Sequence, residues 1–371
     1  MGKSIKLFRI NGIPIGLHPS WFIIFVFLTW SLANGYFADR ASSLPFTGIW
    51  ALGIVTSLLF FASVLAHELG HAFVALRNSI PVKSISLFFL GGVAEIEREP
   101  SAPGEEFRIA IAGPMVSLAL ALVFNSLSQV SGGLPYMGAA FDYLARVNLL
   151  LGVFNLIPGF PMDGGRILRA VIWKLTGDHY QATRAASFTG QLVAFGFIAY
   201  GVFSVFTGNL MNGIWMGFIG MFLLNLAGSA SAQARLQQKL DGINVDRVMN
   251  RHYPSVPGEA TLEQLVSETL AENSQGTFLV IDNEKPPGIL TLGEITKVPR
   301  HLWSRIRARE VMKPWERLIQ ISPDTPILTA LQEMEAADLR MVPVVEGLQV
   351  KGILSREQVR HYLKLRTELG S

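Results

Sequence analysis

The sequence predicts a multi-span α-helical membrane protein, with about six spans and short membrane-associated β segments, joined to a cytoplasmic α/β module. Three observations predict it. First, charge is uneven: residues 1–234 hold 23 of the Asp, Glu, Lys and Arg residues, and residues 235–371 hold 36. Second, four stretches carry none of these residues: Ile10–Ala38, Ala41–Ala66, Ile109–Phe141 and Ala185–Ala234. Third, the charged tail repeats itself at a period of 63–64 residues. Soluble domains carry about 25% charged residues, so a single soluble globule is excluded. With no Cys, so is a disulfide scaffold. A net charge of +3, without a basic stripe interleaved with aromatics, does not suggest nucleic acid as a partner.

The elements follow in chain order. Lys3, Lys6 and Arg9 precede Ile10–Leu17, and no small-residue cleavage site follows, so the start is not a cleavable signal. Ile5–Ile15 reads as a short strand or hairpin at the interface. His18 stands before Pro19-Ser20-Trp21 and reads as structural, since Trp at that depth is ordinary anchoring. A bilayer core needs about 20 mainly apolar residues per helix. The candidate spans are Pro19–Tyr36, Thr47–Leu76, Phe107–Leu127, Phe141–Leu156, Ala185–Phe206 and Gly213–Ala230. Between the second and third, Pro81–Glu97 is β-prone and bends at Gly91-Gly92. It reads either as a cap on the core or as a strand edge open to pairing with an extended chain. The fourth span is broken by Pro158, Gly159, Pro161, Gly164 and Gly165, and a helical segment resumes at Arg166–Thr176. Irregular backbone at membrane depth survives only where protein or a watery cavity satisfies it, which marks the break as functional. Basic residues crowd the loops before span one, between two and three, between four and five, and after six. This pattern places both termini in the cytoplasm of a multi-pass cell (inner or plasma) membrane protein.

The chemistry lies at the end of span two. His67 and His71 in His67-Glu68-Leu69-Gly70-His71 share a helix face at i and i+4, so both imidazoles reach one metal. Glu68 between them is placed to act on a water. Ionisable groups inside an apolar span are costly unless paired or bound to something. A catalytic zinc site wants three protein ligands and an open position. Asp163, at the broken end of span four, is the candidate third ligand, at a depth that the loop charges make similar to that of the His pair.

These residues resemble the site-2 protease family of intramembrane zinc metalloproteases, over about residues 1–234. The resemblance rests on His67-Glu68-Leu69-Gly70-His71 and on Asn155 to Gly165 with its Asp163-Gly164. It implies that His67, His71 and Asp163 bind one Zn2+ per chain and that Glu68 is the general base. It also implies that Asn155 is a polar group near the metal, able to hydrogen-bond the scissile carbonyl. The family's Gly-Pro-x-x-Asn element reads Gly113-Pro114-Met115-Val116-Ser117 here, with Ser for Asn. The substrate implied is a single-span membrane protein within the lipid bilayer. An alternative of another class is a transporter or channel gated by the charged tail, with the same acids and His as an ion pathway.

The tail, after a linker at 235–244, pairs Val248-Met249 with Val311-Met312. Likewise Phe278–Ile281 matches Val342–Val345, and Gly288–Thr291 matches Gly352–Ser355. Each unit reads strand, amphipathic helix (Leu262–Leu270; Ile327–Ala336), strand, strand, helix. Neither buries its apolar face alone, so the two pack as one module. It resembles a tandem CBS pair over 245–366, with repeats at about 245–300 and 308–366. The resemblance implies a regulatory adenine nucleotide (ATP, ADP or AMP) and a homodimer through the pair. The family's ribose motif, Gly-x-x-Thr/Ser-x-x-Asp, reads Gly288 to Glu294 in one copy, with Thr291 and Glu294 as the candidate ligands. In the other it runs Gly352 to Gln358, with Ser355 and Gln358.

Overall fold

The computed structural model describes residues 4–41, 43–89, 91–131, 134–251, 255–269, 277–282, 285–337, 339–347 and 349–368. Lys3 and Leu270, named above, lie outside them. The chain forms two compact units, Met1–Arg235 and Leu236–Ser371.

The first unit opens with a hairpin of β1 (Ile5–Ile10) and β2 (Ile13–Leu17). Its turn is Asn11-Gly12, both at positive φ (47° and 82°), the pair that a twisted two-residue hairpin loop demands. β3 (Val82–Phe88) lies parallel to β2, and β4 (Gly91–Ile96) runs antiparallel to β3. The order is β1-β2-β3-β4, which leaves β4 at an edge. The helices are α1 (Ser20–Ser31), continued through a π turn (Leu32–Tyr36) into α2 (Phe37–Arg40), then α3 (Phe46–Arg77), α4 (Pro103–Val130) and α5 (Pro135–Asn155). α6 (Asp163–Thr176), α7 (His179–Phe206) and α8 (Leu210–Leu240) follow. Counting α1 to α2 as one, six helices among the described residues are long and apolar enough to cross a membrane, and α6 is not one of them.

Several helices run past the expected spans: α4 starts at Pro103, α6 at Asp163, α7 at His179 and α8 at Leu210. α5 starts at Pro135 rather than Phe141, with Pro at the helix start, where its missing N–H is not needed, and Asp142 and Arg146 form an i,i+4 pair within it (3.0 Å). Tyr36 also donates its hydroxyl proton to Asp142 (2.9 Å). α8 continues through the expected linker to Leu240, since Ala, Gln, Arg and Leu there are good helix formers. The inward helix faces carry small residues, which let backbones approach closely in lipid. Ala182, Ala186 and Ala194 of α7 are fully buried.

The second unit contains β5 (Ser255–Pro257), α9 (Leu262–Gln264) running into a π turn (Leu265–Thr269), β6 (Thr277–Asp282), β7 (Lys285–Thr291) and α10 (Leu292–Ile295). The second repeat supplies α11 (Ala308–Val311), β8 (Lys313–Pro314), α12 (Ile327–Ala336), β9 (Met341–Glu346), β10 (Gln349–Ser355) and α13 (Arg356–Glu368). The repeats interlock. β8 of the second pairs with β7 of the first. Asn250 of the first exchanges backbone hydrogen bonds with Ile353 of the second (2.8 and 2.9 Å). Ile243, Val245 and Val248 are buried in one cluster with Ile327, Met334 and Leu354. Each repeat's entry segment thus completes the other's core, the physical reason for one module.

Leu354 is fully buried in this cluster. Leu354→Ala should cost about 2–5 kcal/mol. Limited trypsin digestion of the full chain should then release peptides from residues 241–368 faster than in the unmutated protein. An unchanged rate would place Leu354 outside the load of the core.

Candidate metal centre

α3 presents His67 and His71 one turn apart on its inward face, 4% and 5% exposed. Their Nε2 atoms are 3.2 Å apart. Asp163, the first residue of α6, brings Oδ2 to 3.2 Å from His67 Nε2 and 3.1 Å from His71 Nε2. The three residues therefore offer one ligand atom each within 4.8 Å of one another. A tetrahedral centre with bonds of about 2.0–2.1 Å separates its ligand atoms by about 3.3 Å. The triangle fits such an ion, and two imidazoles with a carboxylate suit zinc.

The other imidazole nitrogens fix this arrangement. His71 Nδ1–H donates to the carbonyl of Ile109 (2.7 Å). With its Nε2 turned to the metal position, His67 donates Nδ1–H to Ser117 Oγ (2.9 Å). Both acceptors belong to α4, and Ser117 is fully buried. Such outer partners set the tautomer and raise ligand basicity. The helix comes close because Gly113 lies between: a Cβ there would stand 2.2 Å from His71 Nε2 and 2.6 Å from His67 Nε2. The Gly113-to-Ser117 element thus contributes space at one end and an acceptor at the other.

Asp163 is held by the backbone that precedes it. Phe160 N–H donates to Ala186 O of α7 (3.1 Å). A Cβ at Gly190, one turn further on, would lie 2.0 Å from Phe160 O. From the other side, Arg169 of α6 stacks its guanidinium over Phe160 (5.2 Å). Its Nε donates to Glu106 of α4 (2.6 Å), which is fully buried. This pair ties α6 to the helix that orients both imidazoles.

Glu68 lies beside the His pair, with Oε2 accepting from Ala94 N–H of edge strand β4 (3.2 Å). Asn155, the last residue of α5, lines the same cavity of about 700 Å³ as Glu68, His67, His71 and Asp163. Val93 and Ala94 of β4 also line it. His18 stands apart from this cavity: its Nδ1 pairs with Ser20 Oγ (2.8 Å), which accepts from Phe89 N–H (3.2 Å). That is a helix-start network, in keeping with a structural reading.

In the tail, Thr291 and Glu294 are hydrogen-bonded to each other, and Lys313 Nζ is 3.4 Å from Glu294. Burial pushes the Glu294 carboxyl up, but the Thr291 hydroxyl and the Lys313 ammonium outweigh it and hold the group below the ordinary range. In the second copy, Gln358 Oε1 accepts from Ser355 N–H (2.8 Å), and Ser355 Oγ accepts from Gln358 N–H (3.2 Å). That reciprocal pair caps α13. Reading by motif missed Ile109, Ala94 and the Glu106–Arg169 pair. The first two act through backbone atoms, which carry no residue signature.

Known proteins give the same outline. Peptidase family M50 matches residues 55–142 and 134–199, and the CBS domain matches 245–301 and 308–365. A Synechocystis homologue named a zinc metalloprotease is 33% identical over 367 residues, covering 97% of this chain and 95% of that one. A zinc metalloprotease of Methanocaldococcus jannaschii is 32% identical over 379 residues, covering 100% and 99%. The solved site-2 protease of Methanocaldococcus jannaschii is 35% identical and covers 62% of this chain and 95% of that one, with a TM-score of 0.42.

Replacing Ser117 by Ala removes the acceptor from His67 Nδ1 and leaves the three ligand atoms in place. Zinc affinity, read by competition with a chelating dye, should fall about 10–100-fold. Unchanged affinity would show that the Ser117 bond does not orient the ligand.

Proposed function

This chain belongs to the site-2 protease family, peptidase family M50, and is a membrane zinc metalloprotease with a CBS pair; from that premise we propose that it performs intramembrane proteolysis of single-span membrane proteins. The observation that carries the proposal is the convergence of His67, His71 and Asp163 at one buried point at the end of a membrane-length helix, with Glu68 beside it.

We assign His67, His71 and Asp163 as the ligands of one zinc ion. When bound, zinc supplies Lewis acidity that polarises a carbonyl and acidifies water. Glu68 takes the proton of the attacking water and hands it to the leaving amine. Its Oε2 is held by Ala94 N–H, so the carboxylate is aimed before substrate arrives. Asn155 offers its amide N–H to the scissile carbonyl from the cavity wall. β4 shares that wall, and its free edge suits an added strand, the extended form that a helical substrate must adopt to expose a peptide bond. The loop charges support cytoplasmic termini, which set cleavage near the cytoplasmic end of the substrate's span. A CBS-gated transporter would string its titratable groups along a path, whereas these converge on one cavity.

The full chain should cleave members of a panel of single-span proteins in vesicles, and a chelator should stop it. Glu68→Gln should lower cleavage by about 10²–10⁴-fold while one zinc per chain stays bound. Retained cleavage in that variant would sink the assigned base.

At the CBS pair, the uncapped Thr291–Glu294 pair beside Lys313 supports one adenine-nucleotide site at the first motif, with the ribose hydroxyls on Glu294 and regulation of the protease as its role. A homodimer through the pair belongs to the same proposal. AMP, ADP or ATP should raise the melting temperature of the full chain, and Glu294→Ala should remove that shift. Equal shifts in the two proteins would place the nucleotide elsewhere.

A further inference from the structure

Arg166 lines the same cavity as Glu68, Asn155 and Asp163. It follows Asp163 by three residues on α6, so the two side chains share a helix face. Its side chain is 23% exposed, and its one ion pair among the described residues is with Glu106 Oε1, at 4.0 Å from Nε. That is outside hydrogen-bond reach. No other side-chain hydrogen bond from Arg166 occurs among the described residues.

Neutralising Glu106 does not account for Arg166. Arg169 already holds Glu106 Oε1 through both Nε and Nη2. Glu106 Oε2 is buried without a hydrogen-bond partner among the described residues, yet Arg166 does not reach it. Asp163 is turned to the His pair, and Glu68 to β4. Among the described residues, a guanidinium thus stands in the cavity with a planar fork of donors unspent. Desolvating such a group is costly unless it serves a ligand, and its geometry matches a carboxylate bidentately.

We infer that Arg166 is a carboxylate-binding subsite in the active cavity, receiving either the C-terminal carboxylate released by peptide hydrolysis or an acidic side chain of the substrate. In the first case Arg166 holds the newly formed product end. In the second it selects substrates with Asp or Glu near the scissile bond. The identity of this ligand rests on the proteolytic reading above. Binding to zinc-depleted protein is measured without turnover, so it separates failure of the subsite from failure of that reading.

The test titrates chelator-stripped full chain in detergent with three probes. These are N-acetyl-Ala-Leu as the free acid, its C-terminal amide, and N-acetyl-Ala-Glu amide. The free acid, the Glu peptide or both should bind at least about tenfold more tightly than the neutral amide. Preference for the free acid alone assigns the product end, and preference for the Glu peptide alone assigns a substrate side chain. Arg166→Gln should erase the preference, and Arg166→Lys should keep only part of it. Equal binding of all three probes to the unmutated protein would overturn the inference without any variant. So would a preference that survives in Arg166→Gln, or loss of zinc affinity in that variant with the preference intact. The last result would make Arg166 a positioning residue for Asp163.

Discussion

The constraint on which the first unit depends is that imidazole and carboxylate must meet inside a bundle that offers almost no other polar partner. Each such group loses its water, and each must find a protein atom or an ion in exchange. His67 and His71 spend one nitrogen on α4 and turn the other toward Asp163. Asp163 in turn exists at that point only because α6 starts there. The start of α6 is fixed by Phe160 against α7 and by Arg169 against Glu106. Four helices are therefore bound to one point. The buried Glu106–Arg169 pair weighs little as a source of stability, since the desolvation of both ions offsets their attraction. Its effect is registry: α4 carries the acceptors for both imidazoles, and the pair holds α6 to the same helix.

Much of this was legible in the sequence where the signal was local. The His pair and Glu68 follow from a spacing of four on one helix. The break before Asp163 follows from Pro and Gly in an apolar run. What escaped were contacts between residues far apart along the chain. Ile109 serves His71 through its carbonyl, which any residue type supplies equally. Ser117 replaces the Asn of the related motif, and only the approach of α4 at Gly113 shows that a short hydroxyl spans the gap to His67. The start of α5 escaped because Pro135 opens the helix, at a position where its missing N–H is not needed, six residues before the apolar span expected from Phe141.

On the proposed reading, the sheet is the place where a helical bundle would admit an extended peptide. β2 and β3 are its interior strands, and buried Ile13, Ile15 and Ile85 pack against Ala72 of α3, the helix of the His pair. β4 is left with one unpaired edge, and Ala94 of that strand spends its N–H on Glu68. A strand edge normally invites indiscriminate pairing. Here part of the strand lines the cavity, and the contact with Glu68 sets the edge and the proposed base in a fixed relation. An extended chain docking on β4 would lie beside Glu68 without further adjustment of α3.

The CBS module shows how two nearly equal motifs are driven to unequal use. In the second copy, Ser355 and Gln358 satisfy each other's backbone groups and start a long helix, α13. The same capping geometry is not made in the first copy, where α10 is a single turn and Thr291 bonds the Glu294 side chain instead. A Gln at the acid position is a good N3 capping partner and carries no charge, so it commits its amide to the backbone. Glu294 keeps a carboxylate beside Lys313, the arrangement on which the proposed nucleotide site rests. The exchange of entry segments between repeats places Lys313, a residue of the second repeat, against the motif of the first. Charge at the first motif therefore depends on assembly of the whole pair, which is why loss of either repeat's fold would be felt at that site.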